Sequence, residues 1–109
     1  MKLLIAGSRS ITSFDLSPYI PADADLIITG GAKGVDTLAE AYAKERGIPT
    51  LTVKPCYEKY GRAAPILRDE EMVDLADAVL VIWYGTSRGS KHTADYAHKK
   101  GKPLTVVTA

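Results

Sequence analysis

Three stretches of this 109-residue chain carry the residue types that can do chemistry. They are Gly7-Ser8-Arg9-Ser10, Gly30-Gly31-Ala32-Lys33-Gly34-Val35-Asp36 and Gly85-Thr86-Ser87-Arg88-Gly89-Ser90. Glycine-rich turns that open a helix can hold a phosphate through free backbone N–H groups. Glycine suits such turns because the backbone must take positive φ and approach the ligand closely. Arg9, Lys33 and Arg88 would add charge beside those amides, and Ser8, Ser87 and Ser90 would add hydroxyl donors. Each loop alone also reads as a plain tight turn. Together they point to a nucleotide-like anion. Two familiar motifs are excluded: the second stretch does not fit G-x-G-x-x-G, and Lys33 precedes the last glycine instead of following it as in a P-loop. A standard NAD dehydrogenase or Walker-type ATPase does not fit.

The stretch Pro55–Pro65 is long for a connection and contains Tyr57, Tyr60 and Arg62. The two tyrosines could stack on a base or simply cover the edge of a sheet. Arg62 would sit at the N-terminal mouth of the following helix, with Arg68 more than a turn deeper among Asp69, Glu70 and Glu71. On residue types alone, Arg68 reads as one half of a surface ion pair. Cys56 is the single cysteine, and His92 and His98 have no cysteine nearby, so no metal site and no cofactor is expected.

Composition sets the limits. The 14 Lys and Arg against 13 Asp and Glu leave a net charge of +1, which argues against a dedicated nucleic-acid binder. With 46% apolar and 25% charged residues the chain reads as one globular domain over 1–109. No apolar run approaches the ~18 residues that span a membrane, and the apolar start reads as a strand rather than a signal peptide. The expected compartment is the cytoplasm.

The elements that must position these residues alternate. Apolar, β-branched runs at Leu3–Ala6, Asp25–Thr29, Thr50–Lys54, Ala78–Trp83 and Pro103–Thr108 suit strands covered on both faces. Val35, Leu38, Ala39, Tyr42 and Ala43 form one helical stripe that stops at Gly47. A second helix is expected over Ala63–Ala76, with Ile66, Leu67, Met72, Val73 and Leu75 buried, and a third from Ser90 to Gly101. Between Ser8 and Ala24 only a short helix, Phe14–Tyr19, is expected. This alternation predicts a doubly wound α/β sheet of about five parallel strands ordered 3-2-1-4-5. Ligands then bind beyond the carboxyl ends of the strands, where all three glycine-rich stretches fall.

Four motifs, Ile5–Arg9, Thr29–Asp36, Tyr60–Pro65 with Arg68, and Ser87–Ser90, resemble the SLOG superfamily, and its small stand-alone YspA/YpsA-related, YAcAr-like branch in particular. The resemblance implies a Rossmann-like fold that binds nucleotides or their derivatives, with NAD, ADP-ribose derivatives or cyclic nucleotide signals as ligands. It implies a homo-oligomer, for which Tyr57, Tyr60, Trp83 and Tyr84 supply apolar surface. By resemblance to the LOG phosphoribohydrolases, Arg68 matches a helix arginine that acts on an N-glycosidic bond. The glutamate of those enzymes falls here on Lys91 or His92, and the residue after the arginine is Asp69. A cation there would oppose an oxocarbenium ion, although His92 could donate a proton and Asp36 or Asp95 could stand in for the acid.

The expected ligand contacts are Gly7, Ser8, Arg9, Gly30, Gly31, Lys33, Gly34, Asp36, Arg62, Arg68, Ser87, Arg88, Gly89 and Ser90, with Arg68, Asp36 and His92 as candidates for catalysis. The expected function is capture of a nucleotide-like small molecule, as sensor or sequestering protein. The alternatives are an N-glycosidase of the LOG type and, on analogy with the DNA-processing protein DprA, single-strand DNA binding, which the neutral charge disfavours.

Overall fold

Five strands lie in one parallel sheet. The computed structural model describes residues 1–109. Strand β1 (Lys2–Gly7) pairs with β2 (Leu26–Thr29) on one side and β4 (Ala78–Trp83) on the other. The edges are β3 (Thr50–Thr52) and β5 (Leu104–Thr108), so the order is β3-β2-β1-β4-β5. The alternation predicted this topology.

Alternate residues of β1 feed two cores, as the two-residue period of a strand requires. Leu3 and Ile5 join Ile11, Leu16, Ile27, Leu80 and Ile82 against helix α1 (Val35–Arg46). Leu4 and Ala6 face the opposite layer with Ile28, Val79 and Val81. That layer holds α3 (Ala64–Leu75) and α4 (Arg88–Lys99), preceded by a one-turn helix α2 (Tyr57–Tyr60) and a 3-10 turn at Gly61–Ala63. No helix is long and apolar enough to cross a membrane.

Helix α1 buries Val35, Ala39 and Ala43 and packs Leu38 and Tyr42 at its margin, the stripe expected from its spacing. It ends at Gly47, which turns left-handed (φ 69°) while its N–H reaches Ala43 and Lys44 carbonyls. Helix α3 departs from expectation. Ala64, Arg68, Met72 and Val73 are its buried residues, whereas Ile66, Leu67 and Leu75 are exposed. Residues four apart share a helix face, so Ala64, Arg68, Met72 and Ala76 form the inward line and Ile66 and Leu67 fall outside it. Residue type suggested one face and geometry chose another. The connection Ser8–Ala24 holds only a 3-10 turn, Ser17–Tyr19, shorter than expected, because Pro18 and Pro21 remove the amide donors a longer helix needs. Strand β3 stops at Thr52, two residues before the expected end, and α4 begins two residues earlier than expected.

Candidate ligand-binding cleft

The sheet reverses its winding between β1 and β4, so their following loops diverge and leave a crevice at the carboxyl ends of the strands. A cleft of about 470 Å³ opens there. Gly7, Ser8, Arg9 and Ser10 line it from the β1 side, and Thr86, Ser87, Gly89 and Ser90 from the β4 side. Asp36, Arg68 and Asp69 complete its polar lining, and Arg9, Ala32 and Arg68 are shared with a neighbouring hollow that adds Gly30, Gly31, Lys33, Lys54 and Tyr57.

The β4 side is built by a helix cap. Ser87 is extended and its hydroxyl accepts from the Ser90 N–H at 3.3 Å, which fixes the first turn of α4. The Ser87 carbonyl accepts from Lys91, and Thr93 Oγ1 donates to the Gly89 carbonyl at 3.0 Å. The N–H groups of Arg88 and Gly89 lie in that first turn, where a helix offers no intrahelical acceptor and its dipole is positive. Gly89 lines the cleft; the Arg88 side chain is exposed and does not.

The loop after β2 is a brace rather than a second cradle. Three of its amides, expected to be free, are occupied. Gly30 and Ala32 both donate to Asp36 Oδ2, at 3.1 and 3.2 Å, and Gly31 donates to Thr29 Oγ1 at 3.3 Å. Gly34 (φ 75°) lets α1 begin directly under the first loop, where a β-carbon would lie 2.6 Å from the Arg9 carbonyl carbon. Gly30 has a different reason to be glycine: a β-carbon there would sit 2.5 Å from Arg68 Nη1. At Gly7 it would run into Val35 and the Ile82 carbonyl. Gly7 and Gly34 thus act by close packing.

Arg68 is the central correction. It is 9% exposed, not a surface residue. Nη1 donates to the Gly30 carbonyl at 2.9 Å and the Val53 carbonyl at 3.3 Å, and Nε donates to Asp69 Oδ1 at 2.8 Å. One guanidinium therefore ties the ends of β2 and β3 to α3. Burial pushes the Asp69 carboxyl above its ordinary range, against the pull of Arg68. Burial likewise raises Asp36, opposed by the Ala32 N–H, Arg68 and the Gly30 N–H. Two desolvated acids flank one arginine at the cleft.

Other expected residues lie elsewhere. His92 pairs through Nε2 with Glu70 Oε2 at 2.9 Å, and Lys91 pairs with Asp95 on the exposed face of α4. Neither lines the cleft, because Ser90 and Thr93 occupy the inward face of that turn. Arg62 is exposed in the 3-10 turn and lines none of the hollows described, since α3 turns Arg68 inward instead. Tyr57 lines the neighbouring hollow, Tyr84 is half-exposed at the cleft itself, Tyr60 is exposed, and Trp83 packs partly against the second core. Asp69, Thr86 and Thr93 were not foreseen. The signal for Asp69 was the four-residue line that buries Arg68, since a neighbour of a buried arginine is its natural counter-ion.

A parallel five-stranded sheet with a polar cleft at its winding reversal defines a Rossmann-like α/β protein. The family described as YspA, cpYpsA-related SLOG (YAcAr) matches residues 18–60, a span that contains the Thr29–Asp36 motif. This match supports the chain as a YpsA-like member of the SLOG family. No curated protein and no solved structure matches the chain. Similarity to that family over this span suggests a nucleotide-related function.

Proposed function

We propose that this protein binds a nucleotide-derived small molecule in the switch-point cleft and holds it without turnover, as a sensor or sequestering protein. The observation that carries the reading is the convergence of the capped first turn of α4 with Arg9 and Ser8 across one cleft. Free N–H groups at a helix start and a mobile guanidinium are the two usual partners of a phosphate. The adjoining hollow, with Tyr57, Lys33 and Lys54, gives a base or second phosphate somewhere to lie. Exposed Tyr60, which lines neither hollow, is a surface for homo-oligomer contact in the same reading.

Calorimetric titration with AMP, NAD and ADP-ribose, followed by chromatography of the recovered ligand, tests it. Saturable binding with the ligand intact is the expected result. Absence of binding by all three would overturn it. A second reading, N-glycosidic hydrolysis, draws on the raised proton affinity of Asp36 and Asp69 beside the cleft, an arrangement frequent at catalytic sites. It predicts repeated release of free base, abolished in Asp36→Asn.

A further inference from the structure

We infer that Asp69 makes the cleft selective for a phosphate that carries a sugar diol, a ribose, over a phosphate without one. The inference rests on the binding reading above and asks which part of such a ligand meets the acid.

Asp69 has one committed oxygen and one open one. Oδ1 accepts from Arg68 Nε at 2.8 Å. No protein group donates to Oδ2, yet every fully buried side-chain polar atom has a partner, so Oδ2 is open to the cleft that the residue lines. Its direction is fixed: the β-carbon position of Gly89 lies 4.0 Å from Oδ2. The open oxygen thus faces the first turn of α4, where the anion is expected to dock.

An ionised carboxylate only accepts hydrogen bonds, and so does an ionised phosphate. Placed against each other in a partly desolvated cleft they repel. The conflict is removed if the phosphate takes the α4 amides and Arg9 while the group bonded to it turns hydroxyls toward Oδ2. A ribose does this, because its two adjacent hydroxyls are donors held a fixed distance from the phosphate. Asp36 differs in place: its Oδ2 accepts from Gly30 and Ala32, so its carboxylate sits against the loop after β2, whereas Asp69 Oδ2 is the atom that faces Gly89. Arg68 is only partly available to a phosphate, because Nε and Nη1 hold Asp69 and two carbonyls, which leaves the two Nη2 donors.

The test compares AMP, 2′,3′-dideoxy-AMP and inorganic pyrophosphate by calorimetry on the wild type and Asp69→Asn. The amide keeps an acceptor for Arg68 and removes the charge. The wild type is expected to bind AMP about tenfold more tightly than dideoxy-AMP, the worth of one hydrogen bond to a charged group. In Asp69→Asn that preference should shrink to about threefold or less while pyrophosphate binds more tightly. Equal wild-type affinities for AMP and dideoxy-AMP would overturn the role of Asp69 and leave the binding reading standing; that comparison needs no variant to fold. An undiminished preference in Asp69→Asn, or weaker pyrophosphate binding there, would also overturn it. If neither AMP nor pyrophosphate binds the wild type, the role of Asp69 is overturned, and the binding reading falls with it when NAD and ADP-ribose also fail to bind.

Discussion

The two glycine-rich loops at the carboxyl edge of the sheet look alike as text and differ as structures. The loop after β2 turns its amides inward, onto Asp36 and Thr29, and takes the Arg68 guanidinium against Gly30. The loop after β4 caps a helix with Ser87 and leaves the Arg88 and Gly89 N–H groups outside the intrahelical ladder, with Gly89 lining the cleft. Space around the glycines tells the same story. A β-carbon at Gly30, Gly31 or Gly34 meets another atom within 3 Å, whereas at Gly85 it meets nothing within 4 Å and at Gly89 only the Asp69 carboxylate at 4.0 Å. One loop holds the fold together and the other is free to hold something else. Glycine content alone does not distinguish a cradle from a brace; what the neighbouring side chains donate to and accept from does.

Substitutions can separate the two roles. Arg68→Ala should have the largest effect, a loss of about 3–5 kcal/mol in denaturant unfolding, because it leaves the Asp69 carboxylate buried without its counter-ion. Retention of wild-type stability would mean that the first loop is not braced by this residue. Gly34→Ala comes next. Positive φ and the Arg9 backbone both oppose a side chain, so its unfolding midpoint should fall by an amount equal to roughly 1–3 kcal/mol.

In the second loop the effects should move from stability toward binding. Ser87→Ala removes a cap worth about 1 kcal/mol in thermal unfolding, and AMP affinity should fall with it as the first turn of α4 frays. Arg9→Ala should leave the melting temperature unchanged, since the side chain is exposed, while weakening AMP binding about tenfold. Equal affinity in that variant would remove Arg9 from the site.

The smallest effect is a pH slope. In the fold, Asp36 holds its proton more tightly than its ordinary value of 3.8, so the folded chain binds protons that the unfolded chain releases. Its burial cost is therefore relieved, and stability gained, as the pH falls from neutral toward 3.8. Asp15 and Asp25, held below their ordinary values, oppose this only at still lower pH. Asp36→Asn should reduce the rise in melting temperature over that window, with Asp69 carrying the remainder. A slope as steep as that of the wild type would assign the effect to other groups.

Much of the architecture was legible because it depends on sequence period. Continuous apolar runs marked all five strands, and Val35, Ala39 and Ala43 marked the inner face of α1. The positions of Gly7, Ser8, Arg9, Ser87, Gly89 and Ser90 around one cleft also followed, since strand ends fix where their loops go. Arg68 was harder. Its neighbours Asp69, Glu70 and Glu71 make it look solvated, and only docking of α3 onto the ends of β2 and β3 turns it inward. The same gap explains Ile66 and Leu67, apolar residues that the helix leaves exposed. His92 failed as a candidate because its role depends on which side of α4 meets α3, where Glu70 takes it. Local pattern carries elements and strand ends; it does not carry the partner that a long side chain finds across the sheet.

The position of β1 has a consequence for the order in which the chain can fold. The first strand in sequence is the central strand in space, and Lys2 donates its amide to Asp77, 75 residues further on. Its β2 neighbour is available early, but the β4 side can be filled only after three-quarters of the chain has been made. Until then Leu3, Leu4 and Ile5 belong to an open, apolar edge, the kind of surface that pairs with other chains. Closing the loop that brings β4 back precedes any reward from the β1–β4 ladder, which makes that pairing the slow event of folding. A nascent chain stalled before Ala78 therefore exposes Leu3, Leu4 and Ile5, which are buried in the finished protein, and is the form most prone to associate.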